Sequence, residues 1–291
     1  MLQDSVEISE CLFEGLRMPP LLTTVETLCF AREEFVVRDD DVITVSYPRS
    51  GTHWIIEILN LIHFNGDPTW IQTVPVFSRS PWIEDAHWQK DLINQNGPRF
   101  MASHLPVQLF PRSYFNSRAK LVYILRNPKD IVTSLYHLSR GFIYQKQPEN
   151  FDEFLNQFME GDVHYGSWFD HTLGWMKRRD RASFLLIFYE ELQRDPRGSV
   201  EKICQFLGKK LKPEEIDLVI QNSSFSAMKE NKMSDHFALD SRIQKVIISP
   251  LLRKGVSGDW KNHFTVAQSE DFDKLFREKM SSLDPGLFPW F

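Results

Sequence analysis

The chain has 291 residues, a net charge of -5, and apolar and charged fractions of 42% and 25%. This balance suits a soluble globular protein with a sizeable core and excludes the broad basic surface of a general nucleic-acid binder, so any anionic ligand must meet a local basic cluster. Cys11, Cys29 and Cys204 are odd in number, far apart and without metal-ligand spacing, which argues against a disulfide framework, and no metal motif is visible elsewhere.

Met1 to Glu7 carry no basic region followed by an apolar one, and no apolar run is long enough to span a bilayer. A cytoplasmic (cytosolic) protein with no membrane segment is expected. There is no internal repeat, heptad or Gly/Ser/Pro-rich linker, so one domain over residues 1–291 is the simplest description.

In chain order, the clusters Leu21-Leu22 and Leu28-Cys29-Phe30 are expected to form a lead-in that packs over a sheet. The β-branched run Val42 to Val45 then reads as a strand buried on both faces. Apolar residues at Trp54, Ile55, Ile58, Leu59 and Ile62 follow with helical spacing, so Pro48 to Thr52 is a loop feeding a helix N-terminus. Such a loop offers unpaired backbone N–H groups and the positive end of a helix dipole, a natural seat for an oxyanion. Gly51 allows close approach, Arg49 adds charge, and the Ser50 and Thr52 hydroxyls donate hydrogen bonds. An ordinary βα turn satisfies the same pattern. It is not a Walker A loop, because the basic residue precedes the single Gly.

Gly66 to Gly97 reads as loop, rich in Trp70, Phe77, Trp82 and Trp88, suited either to the wall of an apolar pocket or to filling the core. Further strands are expected at Arg99 to Ser103, Leu121 to Leu125 and Phe184 to Tyr189, with helical patterns at Phe151 to Met159 and from Val200 to Leu207, closed by Gly208. Alternating strands and helices imply an α/β fold: a single domain with a central parallel sheet flanked by helices. Ligands bind at the carboxyl ends of such strands, where Arg49, His104, Arg126 and Tyr189 fall.

With these residues in view, nearly the whole chain from about Phe13 onward resembles the cytosolic sulfotransferases. Tyr47-Pro48-Arg49-Ser50-Gly51-Thr52-His53-Trp54 is similar to the family's 5′-phosphosulfate loop, and Arg126-Asn127-Pro128 through Ser134 to its 3′-phosphate segment. Arg253-Lys254-Gly255-Val256-Ser257-Gly258-Asp259-Trp260-Lys261 resembles its second cofactor signature. Lys261 to Glu270 resembles its short dimer motif, while Gly166 to His171 and Leu287 to Trp290 look most like the hydroxysteroid (alcohol and bile-salt) subfamily.

The resemblance implies transfer of a sulfuryl group from 3′-phosphoadenosine 5′-phosphosulfate (PAPS, leaving the bisphosphate PAP) to a hydroxyl of a steroid, bile acid or similar alcohol. The P-loop-like strand-loop-helix, including His53, would bind the phosphosulfate. Arg126, Arg253, Ser134, Lys254 and the Gly255 backbone would cage the terminal phosphate. Trp54, Tyr189, Phe225 and Met228, with Ser223 at the edge, would enclose the adenine. Read without the resemblance, Trp54 and Phe225 are core residues.

His104, in the family's Ser-His-Leu-Pro pattern, is the expected general base, and Arg49 the catalytic cation at the leaving oxygen. Where the family has Lys this chain has Arg49, a rigid fork in place of a mobile ammonium, so the rate of transfer is open while cofactor binding is not. The acceptor pocket would draw on Phe77, Trp82, Leu138 and Phe142, near Leu21 to Thr23. Tyr136 and His137 either read further hydroxyls or face solvent. No metal is implied. Thr265 with Gln268 reads as a capping box as well as part of a homodimer contact. The competing readings are a catalytically weak nucleotide binder, favoured by Arg49, and a P-loop small-molecule kinase, which needs a Lys after the loop Gly that this chain does not have.

Overall fold

The computed structural model describes residues 11–142, 147–234 and 252–290. Met1 to Glu7, where no signal segment is expected, lie outside the described residues.

The described chain opens with a small antiparallel hairpin, β1 (Cys11–Phe13) and β2 (Leu16–Met18). Its two turn residues, Glu14 and Gly15, have φ of 51° and 79°, the doubly positive pattern that matches strand twist in a tight hairpin. Helix α1 (Val25–Glu33) follows, started by a Thr24–Thr27 capping box, and it packs on the hairpin. The lead-in is therefore a hairpin and a helix. The hairpin was hidden because each strand has only three residues.

The central sheet holds β3 (Val42–Ser46), β4 (Phe100–Ser103), β5 (Lys120–Leu125) and β6 (Phe184–Phe188), in the order β4-β3-β5-β6 and parallel throughout. The expected α/β architecture is present. Alternate residues of β5 enter different cores. Leu121, Tyr123 and Leu125 join one with Ile43, Val45, Phe169 and Trp175, while Val122 and Ile124 join another with Ile55, Ile58, Leu59 and Ile203. Burying each such side chain contributes roughly 1.5–3 kcal/mol.

Helix α2 (Thr52–His63) follows β3 directly. The stretch from Gly66 to Gly97 is not simply loop: it contains α3 (Thr69–Thr73), α4 (Val76–Arg79) and α5 (Gln89–Asn94). These helices are too short to show a sequence period, and burial of Ile71, Val76, Phe77 and Leu92 holds them.

Helix α6 (Pro128–Ser139) follows β5, with α7 (Phe151–Glu160) and α8 (Trp168–Met176) beyond. After β6 come α9 (Tyr189–Arg194), α10 (Pro196–Leu207) capped by left-handed Gly208, α11 (Pro213–Asn222) and α12 (Phe225–Glu230). Helix α13 (Val266–Lys279) starts at the anticipated Thr265–Gln268 capping box. Among the described residues no helix is long and apolar enough to cross a membrane, and no cluster of His, Cys, Asp or Glu is arranged to hold a metal.

Candidate active site

The loop from β3 to α2 turns on two left-handed residues. Gly51, the N-cap of α2, has φ 102°, and a Cβ there would lie 2.6 Å from Cδ2 of Tyr189, so only glycine fits. Arg49 has φ 71°, which costs a side-chain-bearing residue of order 1 kcal/mol. No side chain caps α2, leaving the positive end of its dipole to the loop. The Ser50 hydroxyl is buried without a hydrogen-bond partner, and Thr52 Oγ1 lies 2.7 Å from Ser46 Oγ.

Three guanidinium groups from three separate stretches of the chain converge at this loop. Arg49 donates from Nε to Ser134 Oγ at 2.9 Å. Arg126, at the end of β5, donates to the carbonyls of Arg49 (3.0 Å) and Val256 (2.9 Å) and lies 4.3 Å above the Tyr189 ring centre. Arg253 donates to Asp259 at 2.7 Å, as does Lys254. Burial, and then the charges of Arg126 and Arg253, push the Arg49 pKa down to about 10, which leaves it cationic at neutral pH. Burial opposes the Asp259 charge, but hydrogen bonds from Lys254, Asn262 and Arg253 hold its carboxyl well below the usual range.

The Nε atoms of Arg126 and Arg253 are buried without partners. Buried donors left unpaired are costly. With the glycine-walled loop, they make a seat that fits a polyanion.

Beside the cations, the Trp54 and Tyr189 rings meet edge to face at 5.3 Å. Gly255, at φ 67°, lets Phe225 pack closely: a Cβ would sit 2.2 Å from its Cδ2. Met228 is buried on the same cavity. Ser223 is not on the cavity wall, and its hydroxyl donates to the Val219 carbonyl at 2.7 Å. Ser50 also lies behind the wall.

His104 follows β4, and its Nδ1 is 2.8 Å from the Ser46 carbonyl oxygen at the end of β3. A carbonyl only accepts, so Nδ1 carries the proton and Nε2 the lone pair. Burial pushes the His104 pKa down to about 4; the Ser46 contact opposes this and Arg49 adds to it. The imidazole is neutral at physiological pH, able to accept a proton at Nε2.

His104 packs edge to face on Trp82 at 5.6 Å, and Trp82 stacks on Phe77 at 4.4 Å. The His53 ring leans on the same two, at 5.7 Å from Phe77 and 5.5 Å from Trp82, which places it on the aromatic side of the loop. One cavity of about 690 Å³ joins the basic seat to an apolar lobe walled by Phe77, Trp82, Leu138 and Phe142, with Leu21 and Leu22. Tyr136 is outside this lobe, packed on Phe151 and Phe154. His137 also lies outside it, with Nε2 3.5 Å from His263 Nε2, so neither residue is placed to read an acceptor in the cavity.

Sequence reasoning overlooked Tyr165, whose ring lies 5.4 Å from His104 and whose φ is 68°, and Glu84, which accepts the His104 main-chain N–H at 2.7 Å. The left-handed pair Tyr165-Gly166 had a signal in its glycine. Glu84 had none, because its burial arises from the bridge between Trp82 and Ala102.

The chain matches the sulfotransferase domain family over residues 39–284. It is 54% identical over 278 residues to Sulfotransferase 2A1 of Macaca fascicularis, covering 96% of this chain and 97% of that one. Against the 3-beta-hydroxysteroid sulfotransferase of Cavia porcellus it is 50% identical over 278 residues, with 96% of each chain covered. The crystal structure of mouse sulfotransferase SULT7A1 complexed with PAP superposes with a TM-score of 0.80 at 35% identity, covering 96% of this chain and 97% of that one. Retinol dehydratase shares the fold, with a TM-score of 0.82 at 23% identity over 96% of this chain and 90% of that one. With a family match across most of its length and relatives above half identity, the chain belongs to the sulfotransferase family.

Proposed function

We propose that the protein transfers a sulfuryl group from PAPS to a hydroxyl of a hydroxysteroid, bile acid or similar hydrophobic alcohol. The observation that carries this reading is the single cavity holding a basic, polyanion-fitting seat at one end and an aromatic lobe at the other, with the His104 imidazole on its wall. The names of the relatives, hydroxysteroid sulfotransferases among them, and the PAP complex of the mouse enzyme support it.

Arg126, Arg253, Ser134 and the Gly255 backbone would hold the terminal phosphate. The loop from Arg49 to Thr52 would hold the phosphosulfate, and Trp54, Tyr189, Phe225 and Met228 would enclose the base. The bound donor supplies an activated sulfuryl group with a good leaving group. His104 Nε2 takes the proton of the acceptor hydroxyl, and Nδ1 stays bonded to Ser46. Arg49 stabilises negative charge developing on the leaving side, held in position by its bond to Ser134. Phe77, Trp82, Leu138 and Phe142 align the acceptor by exclusion of water.

Cytosolic location is part of the same reading. So is a homodimer through Lys261 to Glu270, supported by Val266, which is 76% exposed at the head of α13. The site is tested with His104→Asn. Its kcat is expected to fall about 10²–10⁴-fold with PAP affinity unchanged; unaltered turnover would remove His104 as the base.

A further inference from the structure

Behind His104 lies a carboxyl with no part in the chemistry described so far. Glu84 is fully buried on the segment between Trp82, a wall of the acceptor lobe, and α5. Trp82 bridges Ala102 of β4, two residues before His104, so Glu84 spans the acceptor wall and the base. Its Oε1 accepts the His104 main-chain N–H at 2.7 Å, while Oε2 is buried and makes no hydrogen bond.

A buried carboxyl oxygen without a partner carries a desolvation cost that an apolar side chain would avoid. We infer that Glu84 is a positioning residue for proton transfer: its carboxyl fixes the main chain of His104 and supplies the counter-charge when the imidazole becomes imidazolium. This inference rests on the reading of His104 as proton acceptor.

The groups facing this pair sharpen it. His104 gains a positive charge close to Arg49, which opposes it, and its carbonyl already faces His171 Nε2 at 3.2 Å. The charged neighbour described for Glu84 is Asp85, of like sign. The one anionic partner in direct contact with the His104 residue is thus Glu84, among the described hydrogen bonds. Burial, offset chiefly by the His104 main-chain N–H and reinforced by Asp85, pushes the Glu84 pKa up to about 7. Its charge therefore appears as pH rises through neutrality.

The test uses the full chain and two variants, Glu84→Gln and Glu84→Leu, with kcat, KM and PAP affinity followed across neutral pH and His104→Asn run alongside. Gln keeps an acceptor for the His104 N–H but cannot ionise. It is expected to bind PAP as the parent does and to lose the rise of kcat through pH of about 7. Leu is expected to lower kcat about 10²-fold, the scale of a misplaced catalytic group, with PAP affinity kept. A Gln variant with the parent pH profile would overturn the counter-charge role whether or not the Leu variant folds, and a folded Leu variant with parent kcat would overturn the positioning role. If His104→Asn keeps full activity, the reading of the base fails first, a result the two Glu84 variants cannot imitate.

Discussion

Arg49 is where the chain departs from the phosphosulfate loop it resembles. The departure is held in place: Nε is tied to Ser134, and the backbone sits at φ 71°. A planar fork fixed at one nitrogen presents its remaining donors in a constant direction, which suits binding of an oxyanion more than following it as it leaves. Arg49→Ala is expected to lower kcat by about 10²–10³-fold, as loss of one preorganised donor does. Single-turnover kinetics would separate that loss from product release. A change confined to release would mean that the guanidinium holds the nucleotide but not the departing charge.

At the scale of elements, the site depends on backbone placed where only glycine is admitted. Gly255 lies under the Phe225 ring, its carbonyl held by Gln193 at 2.6 Å, and Asp130 on α6 accepts from the main chain of Gly258 and Trp260 to dock the same segment. Gly255→Ala adds a Cβ 2.2 Å from Phe225 at φ 67°, so the ring or the loop must move. Strain of order 1–3 kcal/mol translates into about a tenfold or greater loss of PAP affinity, measurable by calorimetry. Unchanged affinity would place Phe225 outside the base pocket.

The sequence made the βα loop and the strand ends legible because their signals are local: a β-branched run, a turn with glycine, a helical stripe. Val42, Leu121 and Phe184 all fall in the expected strands. The hairpin at Cys11 to Met18 and the helices between Thr69 and Asn94 stayed hidden, since pieces of three to six residues owe their form to tertiary burial. Side-chain destinations were hidden in the same way. Nothing local tells that the Ser223 hydroxyl bonds to Val219 or that Glu84 is buried behind His104.

For the whole molecule, burial sets the response to acid. His63, His104, His137, His164, His171 and His263 all have pKa values lowered below the ordinary 6.5, chiefly by burial. Below about pH 6.5 the unfolded chain takes up protons at these sites that the folded chain refuses, so each reduces stability as pH falls. Glu84 and Glu190 act in the opposite sense. With pKa values raised from 4.5 to about 7 and about 6, they retain protons in the folded state and favour it as pH falls through that window. The histidines outnumber them among the described residues, so Tm is expected to fall between about pH 7 and about pH 5, and to fall less in His104→Asn. A Tm that rises on acidification would show that the imidazoles are not buried as described.

One cavity joins the basic seat to the aromatic lobe, so donor and acceptor would meet inside it. The most direct measurement is sulfuryl transfer from labelled PAPS to a panel holding a 3-hydroxysteroid, several bile acids, a simple phenol and a primary amine. Transfer to the steroid or bile-acid hydroxyls, exceeding that to the phenol and amine, is the expected result. Tight PAP binding with no transfer to any member of the panel would contradict it, leaving a nucleotide-binding protein of the same fold.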